Sequence, residues 1–172
     1  MIDKSGERMG GATAHDVDEI HRIIAPWMGM ASWNAWLGHG SFLVLDFGAK
    51  LENGTYRDGT PVIRGEWLLW IYCSAWRIET AAEVLGASED QRDRMSEAVK
   101  ALEGRAVEEV EIITPSLETV FRFAGGYKLR SFPIHSGADP EDFDHWMLFT
   151  PGGMVLAVGP GSTWSYKSSS KP

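Results

Sequence analysis

The spacing of apolar side chains divides the chain into two short helices and a series of strands. Val17, Ile20 and Ile24 recur at helical intervals and share one face. Asp16 and Glu19 have the spacing of a capping box with Asp at the cap, and Pro26 and Gly29 follow as stop signals. A first helix is therefore predicted over 16–25. Met95, Ala98, Val99 and Leu102 repeat the pattern, with a wholly polar opposite face. Ser88 and Gln91 supply another capping box, Asp90 and Arg94 are ordered for an i,i+4 ion pair, and Gly104 ends the run. This predicts a second helix over 88–103 that covers one side of a sheet.

Elsewhere the period is two. Asn34–Leu37 reads as a short strand, Gly38-His39-Gly40 as a turn, and Ser41–Phe47 as a strand with Leu43, Leu45 and Phe47 on one face. Residues 49–65 are rich in Gly, Asn and Asp and read as a loop or an irregular hairpin. Glu66–Ile78 is apolar on both alternating faces, which predicts one long central strand covered on both sides. Beyond Gly104, strands are predicted at Ala106–Ile113, Leu117–Ala124, Tyr127–Ile134, Trp146–Phe149 and Met154–Val158. Gly125-Gly126 and Pro151-Gly152-Gly153 supply hairpin turns, and Pro133 points to an edge position or a strand terminus. An exposed edge at Tyr127–Ile134 would be free to pair across a dimer.

The expected fold class is α+β: an antiparallel sheet or partly closed barrel of about seven to nine strands, built from hairpins and covered by the two helices. A single domain is expected over 15–164, with a flexible arm at 1–14 and a flexible tail at 165–172. Leu68, Ile71 and Cys73 followed by Trp76 and Ile78 parallel Leu129, Phe132 and Ile134 followed by Trp146 and Leu148. Two related β units, at 33–80 and 105–158, are one reading of this parallel. The other is that antiparallel strands share alternation without being related.

Composition narrows the class. With 172 residues, 44% of them hydrophobic and 23% charged, the chain suits one globular domain able to bury a core without staples. No apolar run approaches the roughly 18 residues of a membrane helix, and the first residues lack a basic-then-apolar leader. Cys73 is the sole cysteine, so no intrachain disulfide forms and a cytoplasmic location is expected. The net charge is −8, with 24 acidic residues against 16 basic ones, which argues against nucleic-acid binding. The same excess suits a basic partner protein.

Chemistry-bearing residues are scattered. Trp67 and Trp70 cannot share one face of a strand, so one of them is free to line a pocket or lie under a helix. His39 lies in a glycine turn, and His135 and His145 bracket an insert containing Asp139, Glu141, Asp142 and Asp144. No HxH, HExxH or CxxC spacing occurs, so neither a metal nor a cofactor is expected. Cys73 sits among apolar residues and reads as a small buried hydrophobe rather than a nucleophile. Gly159-Pro160-Gly161-Ser162 lacks the lysine of a phosphate-binding loop. No catalytic residue is assigned, and an enzyme is the less favoured class. The candidate ligand-binding residues are His39, Asp46, Trp70, Tyr72, Trp76, His135, His145 and Trp146.

Three stretches, Leu37–Phe47, Gly65–Ile78 and His145–Gly153, resemble a family of small bacterial proteins with no assigned activity. That resemblance implies no catalytic residues. The acidic, tryptophan-rich α+β style is also similar to that of immunity proteins that neutralise toxins. The leading expectation is thus a non-enzymatic protein-binding module, in one form an inhibitor of a basic partner. The alternative is a small-molecule-binding protein or enzyme with a Trp/His-lined pocket.

Overall fold

The computed structural model describes residues 12–137 and 143–169. Within them, α1 (Ala14–Ile24) runs into a short 3-10 turn and then β1 (Ser32–Leu37), β2 (Leu43–Thr55), β3 (Pro61–Ile71), β4 (Ser74–Glu79) and β5 (Val84–Ala87). Next come α2 (Arg92–Lys100), β6 (Val107–Ile113), β7 (Glu118–Phe123), β8 (Tyr127–Pro133), β9 (Trp146–Thr150), β10 (Met154–Val158) and β11 (Trp164–Ser168). The fold is α+β, with eleven described strands in two antiparallel sheets that do not close into a barrel.

The six-stranded sheet has the order β1-β2-β3-β9-β10-β11 and the five-stranded sheet β5-β4-β8-β7-β6. The chain makes the same moves twice. The meander β1–β3 leads through Tyr72-Cys73 into the other sheet as β4, and the meander β6–β8 leads back as β9. The exchanged strands meet at the centre of each sheet, where β3 pairs with β9 and β4 with β8. The helices sit where sheet edges approach one another. His21 of α1 bonds to Val110 O of β6, and Asp16 accepts from Trp164 Nε1 of β11 at 3.2 Å. At the opposite side α2 packs against β1 and β5.

The core lies between the sheets. Leu43, Leu45 and Phe47 of β2 and Trp67, Leu69 and Ile71 of β3 face Trp76, Ile78, Phe121, Leu129 and Trp146, while α1 adds Ile20 and Ile24 and α2 adds Met95, Ala98 and Val99. Trp27 meets Phe47 edge-on at 5.1 Å, and Phe121 meets Trp146 at 5.3 Å. Each fully buried side chain of this size stabilises the fold by about 1.5–3 kcal/mol.

Several expectations need correction. The first helix starts earlier than 16, because Thr13 is the cap and Asp16 is the third helical residue that completes the box. The second helix is shorter than 88–103: Gln91 is its cap, and Ser88 is taken by Trp76 through backbone and hydroxyl bonds. The Asp90–Arg94 pair forms, at 3.4 Å. Glu66–Ile78 is two strands in two sheets. Odd-numbered residues face inward up to Ile71 and even-numbered ones from Trp76, since the corner at Tyr72-Cys73 inverts the phase. Residues 49–65 mostly extend β2 and β3 as an exposed hairpin arm. The tail predicted from 165 is strand β11 as far as Ser168, paired with β10. Tyr127–Pro133 is no edge: β8 lies between β7 and β4, with Pro133 at its terminus.

Candidate ligand-binding site

The outer faces of the two sheets differ in kind. On the five-stranded sheet, charges alternate in sign. Arg130 binds Glu79 at 2.8 Å, Arg122 binds Glu109 and Glu111 at 3.1 and 2.7 Å, and Arg77 binds Glu79 at 3.0 Å. Such a lattice suits water. On the six-stranded sheet the strand register instead aligns two rows. One is Trp36–Val44–Trp70–Met147 and the other Asn34–Asp46–Leu68–Phe149. An outer sheet face this apolar is unusual and makes it the candidate contact surface of the fold.

A cavity of about 530 Å³ opens on that face, lined chiefly by Trp36, Phe42, Leu68, Trp70 and Phe149, with His39, Asn53 and Arg64 as its polar side chains. The rings form a connected set. Phe42 lies 6.1 Å from Trp70, Trp70 stacks on Phe149 at 6.5 Å, and Tyr72 touches both Phe42 and Trp70 at 4.6 and 4.7 Å. From Tyr72 the aromatic surface continues to Phe143, 5.6 Å away and 56% exposed.

Two devices shape the cavity. The first is a break in the β2–β3 register between Phe47 and Lys50. There Asp46, wholly buried, accepts from Gly65 N at 2.7 Å and from Asn34 Nδ2 at 2.9 Å. Gly65 is required at this bend, because a Cβ would sit 2.5 Å from backbone atoms of Phe47 and Trp67. Beyond it the arm brings Asn53 and Arg64 to the cavity, with the guanidinium 5.0 Å from the Trp36 ring centroid. The second device is Arg92 at the start of α2. It donates to the carbonyls of Leu37, Gly38 and Gly40 at 3.2, 2.9 and 2.6 Å. Trp76 Nε1 donates to Ser41 O at 2.7 Å, so the turn carrying His39 is held from two sides.

The polar balance of the lining is one-sided. The indole N–H groups of Trp36 and Trp70 are shielded from solvent and have no hydrogen-bond partner. Arg64 donates to Ile63 O of its own strand at 3.1 Å, and no described carboxylate pairs with it. Asp46 is adjacent, yet both of its oxygens are already engaged. The site therefore presents the Arg64 guanidinium and aromatic faces to whatever enters, while the two shielded indole N–H groups lie out of its reach.

The structure does not gather the eight candidate residues into one site. His39 and Trp70 line the cavity, Tyr72 abuts it and Asp46 braces it from beneath. Trp76 and Trp146 are core residues, the latter donating to Thr119 Oγ1 at 3.0 Å. His135 lines a separate cavity of about 310 Å³ with Pro115, Ser116 and Ser162. His145 is fully buried: Nε2 lies 3.2 Å from Gly161 O, and its ring fills the space where a Gly159 Cβ would stand at 2.6 Å. Asp139, Glu141 and Asp142 lie outside the described residues. Among the described residues, no three His, Cys, Asp or Glu side chains converge on a point that would hold a metal ion, and no helix is long and apolar enough to cross a membrane.

Sequence reasoning missed Trp36, Phe42, Asn53, Arg64, Leu68 and Phe149. The apolar residues carried a readable signal, since Val44, Leu68, Trp70 and Phe149 occupy the alternate positions to the core residues. Comparison with family models, curated proteins and solved structures finds no match. The chemistry must therefore be read from the site itself.

Proposed function

We propose that this is a binding protein for a small, flat, largely apolar molecule that lies against Trp36 and Trp70 on the outer face of the six-stranded sheet. The observation carrying this reading is the cavity itself: about 530 Å³, aromatic, and edged by three polar side chains. Sites for small molecules typically span roughly 300–1,000 Å³ and combine apolar walls with a few fixed polar groups. The bracing by Asp46 and Arg92 supports a cavity that exists before the ligand arrives, which limits the ordering cost of binding.

The test is titration of the intrinsic tryptophan fluorescence with bicyclic aromatic compounds. Saturable quenching is expected, weakened at least about tenfold by Trp70→Ala, a loss in line with about 1.4 kcal/mol of ring contact. The substitution Ile113→Ala on the other sheet should leave it unchanged. If no such compound saturates the signal, or if Trp70→Ala has no effect, the reading fails.

A protein partner on the same face is the second reading, favoured by the exposed Phe143 ring that extends the aromatic surface beyond the cavity. It predicts a stoichiometric complex disrupted by Phe143→Ala. In its acidic-inhibitor form the complex would also weaken with salt. The acids on the five-stranded sheet lend that form little support, since Arg77, Arg122 and Arg130 already pair with them.

A further inference from the structure

We infer that the occupant of this cavity is an anion: an aromatic or otherwise flat apolar body bearing a carboxylate that Arg64 receives. The inference rests on the small-molecule reading above and specifies its ligand class. Acids outnumber bases 24 to 16 in this chain, yet among the described residues Arg64, which lines the cavity, has no carboxylate partner. The arginines of the five-stranded sheet each have one. Arg64 is instead held over the Trp36 ring and donates only to Ile63 O, so most of its N–H groups are free for a ligand.

Two further observations agree. His39 and Asn53 add further donor capacity at the rim. The Asp46 carboxylate beneath the cavity is wholly buried, with one oxygen held by Gly65 N and the other by Asn34, so it does not compete for Arg64. A cationic ligand would be repelled by Arg64. A carboxylate meets a planar fork suited to bidentate hydrogen bonding beside a low-dielectric aromatic wall, where such a pair is strong.

The experiment compares three probes of one shape by fluorescence titration of the full chain: 2-naphthoate, 2-naphthylmethanol and 2-naphthylmethylammonium. Naphthoate is expected to bind about tenfold or more tightly than the alcohol, and the ammonium most weakly, the scale of one charge-assisted hydrogen-bonded contact. Arg64→Met should bring naphthoate to within about twofold of the alcohol, and Arg64→Lys should restore part of the gap. With the unaltered chain, raising the salt should narrow the naphthoate preference while leaving the alcohol unaffected. Equal affinity for all three probes, or a preference that survives Arg64→Met, would overturn the anionic assignment and leave the cavity reading standing. Failure of all three to bind would overturn both.

Discussion

Asp46 offers the sharpest test of how the site is built. It is a fully buried carboxylate with each oxygen committed to a different donor, Gly65 N at 2.7 Å and Asn34 Nδ2 at 2.9 Å. Asp46→Ala removes both acceptors. Asn34 is half-buried and turns to water at little cost, whereas Gly65 N lies inside the β2–β3 bend and is orphaned. An orphaned donor of that kind costs about 1–3 kcal/mol, and a hydrogen bond to a charged acceptor is worth about 1.5–3 kcal/mol. Relief from burying a charge returns part of this. The expected net loss is about 2–3 kcal/mol. Asp46→Asn behaves differently. Its oxygen still serves Gly65, and rotation of the Asn34 carboxamide presents an oxygen to the new amide, so the loss should be about 1 kcal/mol. The assay is urea unfolding followed by circular dichroism, with unchanged m-values so that midpoints compare directly. If the two variants are equally costly, the charge rather than the acceptor geometry holds the bend. A loss below about 1 kcal/mol for Asp46→Ala would refute the bracing role itself.

Further expectations concern the core and the pH response. Trp27 and Trp76 are both buried, but Trp76 Nε1 bonds to Ser41 O while Trp27 Nε1 has no partner. Trp76→Phe should therefore destabilise by about 1 kcal/mol more than Trp27→Phe in the same unfolding assay. Burial pushes the Asp144 carboxyl up to about 6 from 3.8, opposed in part by Lys167. A raised folded value means that the stability tied to this group is present below about pH 4 and is lost as pH rises to about 6. Asp144→Asn should leave stability unchanged near pH 4 and raise it near pH 8, by about 1 kcal/mol once solvent screening of a partly exposed group is allowed for. Thermal melts across that range would show whether the gain tracks pH. Burial, and secondarily the Asp144 charge, also raise the Cys73 thiol. Its alkylation at pH 8 should be slower than that of free cysteine, and faster in Asp144→Asn than in the unaltered chain.

Much of the fold was readable because it follows from local periodicity. Leu43, Leu45 and Phe47 mark a strand face, Met95, Ala98, Val99 and Leu102 mark a helix, and the paired glycines 125 and 126 mark a hairpin. Each of these depends on neighbours within a few residues. The same pattern misled where the chain changed partners. Glu66–Ile78 looks like one strand covered on both sides, and only the corner at Tyr72-Cys73 shows that its two halves belong to different sheets. Trp76 and Trp146 drew notice as aromatic residues, but whether an indole sits in the core or on a cavity wall depends on which sheet face its strand presents. The cavity is decided later still. Its aromatic floor needs β2, β3 and β9 in register, and Arg64 reaches Trp36 only because the Asp46–Gly65 bend redirects an arm that reads as a polar loop. By itself the sequence determined both helices and most of the strands in their order, since backbone periodicity is local, but not β5, β11 or the division between β3 and β4. The tertiary structure alone decided which apolar face stays open and which cation stands beside it, because strand exchange and register bring together residues that sequence distance keeps apart.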